Sequence, residues 1–179
     1  MDSGRQEGQP LVRIVVGLGS NLGDRLGHLQ VALDAFRKAE GVEVIAWSRV
    51  YESQPVGEGL EGDFLNAVMV CDTNLTPMEV LALCREIEEM CGRDRKVENS
   101  TGIRNRTLDC DVIFFGEETI ETPELVVPHP LWHERAFVVM PLMDVVEHLS
   151  PHQNGLVQNA TKAMNELSGS CRRIEKMLD

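Results

Sequence analysis

Residues 108–116, Leu-Asp-Cys-Asp-Val-Ile-Phe-Phe-Gly, narrow the folds open to this chain more than any other stretch. Leu108, Cys110, Val112, Ile113, Phe114 and Phe115 favour leaving water, and a short apolar run closed by a glycine reads as a buried strand. Asp109 and Asp111 interrupt it. Side chains alternate along a strand, so both carboxylates leave on one face, about 6.6 Å apart along the chain. Two like charges this close raise at least one pKa unless cations are near. Either that face is open to solvent and the acids are an ordinary surface pair, or the strand is a platform for hard cations. Mg²⁺ suits the second reading, since it takes few protein carboxylates and completes its shell with water and phosphate oxygens.

The rest of the chain supplies partners for such a strand. Residues 11–19 and 64–73 read as buried strands, and 42–53 as one half-buried strand with Val42, Val44 and Ala46 turned one way. Leu26, Leu29, Leu33 and Phe36 recur at helical spacing, and Gly41 follows where a helix C-cap would sit. Thr76, Pro77 and Glu79 form a helix start with a capping box; Val80, Leu83, Cys84, Ile87 and Cys91 make the apolar stripe, and Gly92 can end it. Residues 117–125 suggest a short hairpin arm. Beyond them come a loop, a helix holding Pro141, and a last helix over 155–167; residues 171–178 fit helix or edge strand. The order β-α-β-β-α-β with a helical tail predicts an α+β fold, a ferredoxin-like antiparallel sheet flanked by helices. Residues 1–10 read as a flexible tail without a signal-peptide core, and 11–179 as a single domain.

Charge and cysteine usage bound the function. The net charge of −12 argues against nucleic acid or an anionic membrane as partner, and no apolar run approaches the ~18–20 residues of a membrane span. Five cysteines without a C-x-x-C or paired histidines argue against a zinc site or a disulfide framework, and place the chain in the reducing cytosol. Within this acidic chain, residues 93–106 hold Arg93, Arg95, Lys96, Arg104 and Arg106 against only Asp94 and Glu98. A basic loop beside two acids suits a small phosphorylated ligand, since arginine forks bind phosphate bidentately. Asn99, Ser100 and Gly102 make the loop mobile by composition, so it could close over a nucleotide. Residues 17–23, Gly-Leu-Gly-Ser-Asn-Leu-Gly, match no phosphate-binding fingerprint and read as tight backbone turning. His129, held between Pro128 and Pro130 and followed by Arg135, could donate to phosphate.

Taken in order, GLGSNLGDR, YESQPVG, DFLNAV, GRDRK, RTLDCDVIFFG and VPHPLWHERAFVVMPL resemble the 6-hydroxymethyl-7,8-dihydropterin pyrophosphokinases of folate biosynthesis, over residues 12–145. The resemblance implies a ferredoxin-like fold and transfer of pyrophosphate from ATP to the pterin hydroxymethyl group, giving AMP, with two Mg²⁺ ions. It makes Asp109 and Asp111 the metal ligands, and Arg93 and Arg106 the arginines acting on the phosphates. Glu88, Arg95, Lys96, Val112, His129 and Arg135 become ATP-binding positions. Phe64 and Phe137 would sandwich the pterin ring, Asn66 would read its polar edge, and Ser53, Gln54 and Val56 would offer mainly backbone groups. In this chain Gly-Ile-Arg-Asn-Arg (102–106) replaces a Trp-Gly-Pro-Arg-like run of many members. Pro130, Glu124 and Val126 replace ATP-contacting residues of some. The partners implied are small molecules, with the protein a monomer. Two other readings stay open: a non-catalytic nucleotide-binding domain of the same fold, and a kinase moving only the γ-phosphate and so releasing ADP.

Overall fold

A computed structural model describes residues 10–56, 62–95, 105–164 and 171–179. Lys96, Arg104 and most of the tail, on which expectations fall, lie outside them. In chain order the elements are β1 (Val12–Ser20), α1 (Arg25–Lys38), β2 (Val42–Trp47), β3 (Tyr51–Ser53), β4 (Phe64–Thr73), α2 (Pro77–Met90) and β5 (Asp109–Phe115). A small β6–β7 hairpin (Ile120–Glu121, Val126–Val127), α3 (Ala136–Asp144), α4 (Pro151–Met164) and β8 (Cys171–Arg173) follow.

The described strands β5-β1-β4-β3-β8 form one sheet, with β2 also on β4 and every pairing antiparallel. With β2 and β3 counted as one interrupted strand, this is the ferredoxin-like order, extended at its edge by β8. Alternation sorts the side chains into two cores. Ile14, Val16, Leu18, Met69 and Phe115 pack with Leu29, Leu33 and Phe36 of α1 and Val80 and Ile87 of α2. Val15, Val68, Val70 and Phe114 pack on the other face with Val139 and Leu142 of α3 and Val157 of α4.

Two register shifts depart from strict alternation. One lies between Val44 and Ala46, so Ala46 joins the α3/α4 core while Val42 and Val44 stay with α1 and α2. The expected single strand over 42–53 is thus bent and then broken between Trp47 and Tyr51. The other shift, opposite Val15 and Val16, inserts Ile113 into β5, so that Ile113 and Phe114 both serve the α3/α4 core.

The α2 start is as its sequence predicts: Glu79 N–H donates to Thr76 Oγ1 at 3.3 Å and Thr76 N–H to Glu79 Oε2 at 2.7 Å. Its end is a Schellman turn, with Gly92 at φ +84°, Gly92 N–H on the Glu89 carbonyl and Arg93 N–H on the Glu88 carbonyl. That turn sends Arg93 back beside Glu88. Gly41 does not cap α1; Ala39 does, and Gly41 makes the turn into β2 at φ +81°. The last helix starts at Pro151, earlier than its periodicity suggests, and residues 171–173 settle as an edge strand on β3. All five cysteines are unpaired, and no described helix is long and apolar enough to cross a membrane.

Candidate active site

Helices α3 and α4 leave part of their face of the sheet uncovered, and there a cleft of roughly 200 Å³ opens over the ends of β1, β4 and β5. Its floor is made by what is missing. Gly17 pairs with Asp111 and Gly19 with Asp109, and neither carries a side chain to stand beside those carboxylates. A Cβ at Gly19 would lie 3.5 Å from Asn66 Oδ1, 3.6 Å from the Phe64 ring and 3.9 Å from Asp109 Cβ. The expectation that residues 17–23 mainly turn the backbone is corrected here. Residues 17–20 are strand, and only Gly23 takes a positive φ, +70°.

One side of the cleft is ionic. Arg93 Nη1 lies 2.6 Å from both Glu88 Oε1 and Asp109 Oδ1, and Arg106 Nη1 lies 2.6 Å from Asp109 Oδ2. Arg95 bonds the other oxygen of Glu88. The result is a row of alternating sign, Arg95–Glu88–Arg93–Asp109–Arg106, rooted in the C-terminal turn of α2 and the start of β5. Burial alone would raise the Asp109 pKa, but Arg106 and then Arg93 outweigh it and hold the carboxyl below its ordinary value. Among the described residues no arginine bonds Asp111; Arg106 and Arg135 act on it only from a distance. Desolvation, then Asp109, push its pKa up to about 7, and 41% of its side chain is exposed against 19% for Asp109. Asp111 is therefore the open carboxylate of the pair.

His129 stands across from it. Its backbone N–H donates to the Ile113 carbonyl, and its ring Nδ1 accepts from Leu131 N–H at 3.4 Å, which leaves the neutral ring's proton on Nε2. That Nε2 faces Asp111 Oδ2 at 3.9 Å. Burial, then Arg135, lower the His129 pKa and favour this neutral form.

The other side suits a flat ring. Phe64 comes from the sheet and Phe137 from the first turn of α3, and both line the cleft with Ser53, Gln54 and Val56. Asn66 is 4% exposed. Its Nδ2 donates to Ser53 Oγ at 2.9 Å and lies 3.5 Å from the carbonyls of Tyr51 and Phe64. Three acceptors around that atom identify it as the nitrogen, so Oδ1 is the atom turned towards Gly19 and the cleft. Asn66 thus offers a ligand an acceptor.

Of the residues expected from sequence, Ser53, Gln54, Val56, Phe64, Asn66, Arg106, Asp109, Asp111, Arg135 and Phe137 all line this cleft. Glu88 and Arg93 are buried behind Asp109, and Arg95 points outward from Glu88. Val112 is not brought to the cleft by its side chain, which lies in the core under α1 and α2; alternation along β5 dictates this. Lys96 lies outside the described residues. Sequence reading missed Gly17, Gly19, Ile113 and Val138 as lining residues. For the glycines a signal existed, since two glycines at i and i+2 in a β-branched strand strip one face of its side chains.

No group of three or more His, Cys, Asp or Glu among the described residues is arranged to hold a metal ion. Two carboxylates on one strand, one of them open, could instead hold a cation that brings its other ligands with a phosphorylated substrate. Fold and site together have the make-up of a phosphoryl- or pyrophosphoryl-transfer centre on a ferredoxin-like sheet.

Comparison with known proteins narrows that class. The pattern of the 7,8-dihydro-6-hydroxymethylpterin-pyrophosphokinase (HPPK) family matches residues 15–147. The 2-amino-4-hydroxy-6-hydroxymethyldihydropteridine pyrophosphokinase of Bacillus subtilis is 39% identical over 134 residues, 75% of this chain and 78% of that protein. The enzyme of the same name from Pseudomonas aeruginosa is 39% identical over 137 residues, 76% of this chain and 82% of that one. Among solved structures, the Plasmodium falciparum HPPK-DHPS with pterin and p-hydroxybenzoate superposes with a TM-score of 0.69 at 17% identity, covering 94% of this chain. This chain spans about half of that longer one, 47%, and the likeness speaks to fold alone. The chain belongs to the 7,8-dihydro-6-hydroxymethylpterin-pyrophosphokinase family.

Proposed function

We propose that this protein transfers the pyrophosphoryl group of ATP to the hydroxymethyl oxygen of 6-hydroxymethyl-7,8-dihydropterin, giving AMP and the pterin diphosphate for folate biosynthesis. The observation that carries this reading is one cleft joining an aromatic slot with an inward amide acceptor to a carboxylate pair ringed by arginines. The pterin ring stacks between Phe64 and Phe137, and its amino and N–H donors meet Asn66 Oδ1, so a ring lacking those donors leaves a buried acceptor unpaired. The pterin hydroxyl oxygen attacks the β-phosphorus of ATP and gives up its proton to solvent, and the bond from that phosphorus to the α–β bridging oxygen breaks, releasing AMP.

No protein nucleophile is required. Arg106 and Arg135 supply donors where phosphate charge accumulates, and the side chain of Arg106 still has its Nε without a partner among the described residues. His129 offers Nε2–H to a phosphate oxygen. Asp109 and Asp111 would hold Mg²⁺ carried in with ATP, which supplies neutralisation of the phosphate charge. Arg93 and Glu88 act from behind, fixing Asp109. Five unpaired cysteines support a reducing compartment, and the small cleft supports small-molecule partners.

Separation of AMP, ADP and ATP after incubation with ATP, Mg²⁺ and the pterin tests this reading, with Asp111→Ala alongside. Pterin-dependent AMP, lost in the variant, is expected. ADP in its place, or ATP bound with no turnover, would overturn the pyrophosphoryl reading.

A further inference from the structure

The geometry points to Asn21 as a positioning residue that holds Arg106 in register with Asp109; this rests on the role given to Arg106 above. Asn21 is the first residue beyond β1 and is 8% exposed. The β1–β5 ladder ends at Gly19 opposite Asp109. Past that point the chain entering β5 runs beside Asn21, and among the described residues three hydrogen bonds join the two. Asn21 N–H donates to the Arg106 carbonyl at 3.1 Å. Arg106 N–H donates to Asn21 Oδ1 at 2.7 Å. Asn21 Nδ2 donates to Asn105 Oδ1 at 2.9 Å.

The Arg106 residue is therefore gripped on both its amide and its carbonyl. The side chain of Asn21 stands in for the backbone acceptor that a further ladder residue would have supplied. Only a short side chain with an acceptor and a donor on one carbon does both jobs here; alanine keeps only the bond from its own N–H.

The consequence lies three residues on. Arg106 reaches Asp109 through Nη1 at 2.6 Å, an i,i+3 contact whose length depends on where the Arg106 backbone sits. The other arginine on Asp109 is held differently: Arg93 has a 3%-exposed side chain and a second carboxylate, Glu88, at the same 2.6 Å. Arg106 has a 28%-exposed side chain and Asp109 as its described carboxylate partner, so the Asn21 grip is what restricts it. A misplacement of about 1 Å in a phosphate-binding donor costs on the order of a hundredfold in rate.

The test is a double-mutant cycle on the full chain, reading kcat and KM for the pterin with ATP and Mg²⁺, with the thermal midpoint beside them. Asn21→Ala is expected to lower kcat by about ten- to a hundredfold while leaving the pterin KM within about twofold. In an Arg106→Ala background the same change should lower kcat by less than about twofold, because there is no guanidinium left to misplace. If Asn21→Ala does not purify folded, Asn21→Leu, of nearly the same size and without an acceptor, carries the same cycle. Equal losses in both backgrounds, or no loss in the wild type while Arg106→Ala is impaired, would overturn the inference alone. Full kcat in Arg106→Ala would overturn the role of Arg106 and this inference with it.

Discussion

Gly19→Ala should make the protein more stable and less able to bind its ring substrate, two effects of opposite sign from one methyl group. Gly19 lies in β1 without a positive φ, so alanine adopts its backbone without strain. The new Cβ would meet Asn66 Oδ1 at 3.5 Å, Phe64 at 3.6 Å and Asp109 Cβ at 3.9 Å, which is ordinary van der Waals contact. With no clash, reduced freedom of the unfolded chain adds about 0.4–1 kcal/mol, or roughly 1–4 °C in thermal midpoint for a chain of this size.

The same methyl stands in the floor of the cleft, beside the acceptor the ring must reach. Overpacking of one methylene costs about 1–3 kcal/mol. At about 1.4 kcal/mol per decade this is roughly a 5- to 150-fold weaker pterin affinity. Calorimetric titration of the pterin, with thermal unfolding of the unliganded protein, measures both. Wild-type affinity in a folded Gly19→Ala protein would refute the placement of the ring over Gly19. A fall in both quantities would refute the claim that the site, not the fold, requires glycine there. Gly41→Ala is the contrast. At φ +81°, with a Cβ only 2.5 Å from Asn74 Oδ1, it should lose more than about 1 kcal/mol of stability and no affinity.

Arg93→Ala and Arg106→Ala should separate scaffold from ligand contact. Removing Arg93 leaves Glu88 and Asp109 facing each other in a buried place and should cost about 3–5 kcal/mol in urea unfolding as well as turnover. Arg106→Ala should lose turnover with under about 1 kcal/mol of stability. Phe36→Ala, at a fully buried position under the sheet, should cost about 3–5 kcal/mol and leave the pterin KM of the folded fraction unchanged. Glu52 is held below its ordinary pKa by Arg172, then Arg25, across β8, β3 and α1. Its stabilisation is therefore present above the unfolded value near 4.5 and lost as pH falls through the lower folded one. Glu52→Gln should be destabilised by less than about 1 kcal/mol at pH 7, with the gap to wild type closing below pH 4.5; a gap that widens in acid would contradict the pairing.

Much of this site was legible because its chemistry is local. Asp109 and Asp111 share a face by alternation alone, and Thr76, Pro77 and Glu79 declare the start of α2 within four residues. The resemblance then joined the distant segments carrying Phe64, Asn66, Arg106 and Phe137, which the fold brings into one cleft. Less legible was what depends on neighbours. Val112 is an expected ATP position, and only the pleat shows that its side chain lies in the core. Glu88 is an expected nucleotide-side position, and only the fold shows that it is buried as the anchor of Arg93 and Arg95. Ala46 reads as continuous with Val42 and Val44, yet an irregularity that no propensity signals turns it to the other core.

By itself, then, the sequence determined the order of the main elements, the face shared by the two acids, the ends of α2 and the family, because each rests on periodicity or on short motifs. Tertiary structure alone decided that two glycines of β1 lie opposite those acids and clear the cleft floor. It also decided that Asn66 turns its oxygen inward, that Asn21 grips Arg106 from 85 residues away, and that residues 171–173 close the sheet edge. Each of these follows from strand register and packing, and a register is a relation between two segments that neither one specifies on its own.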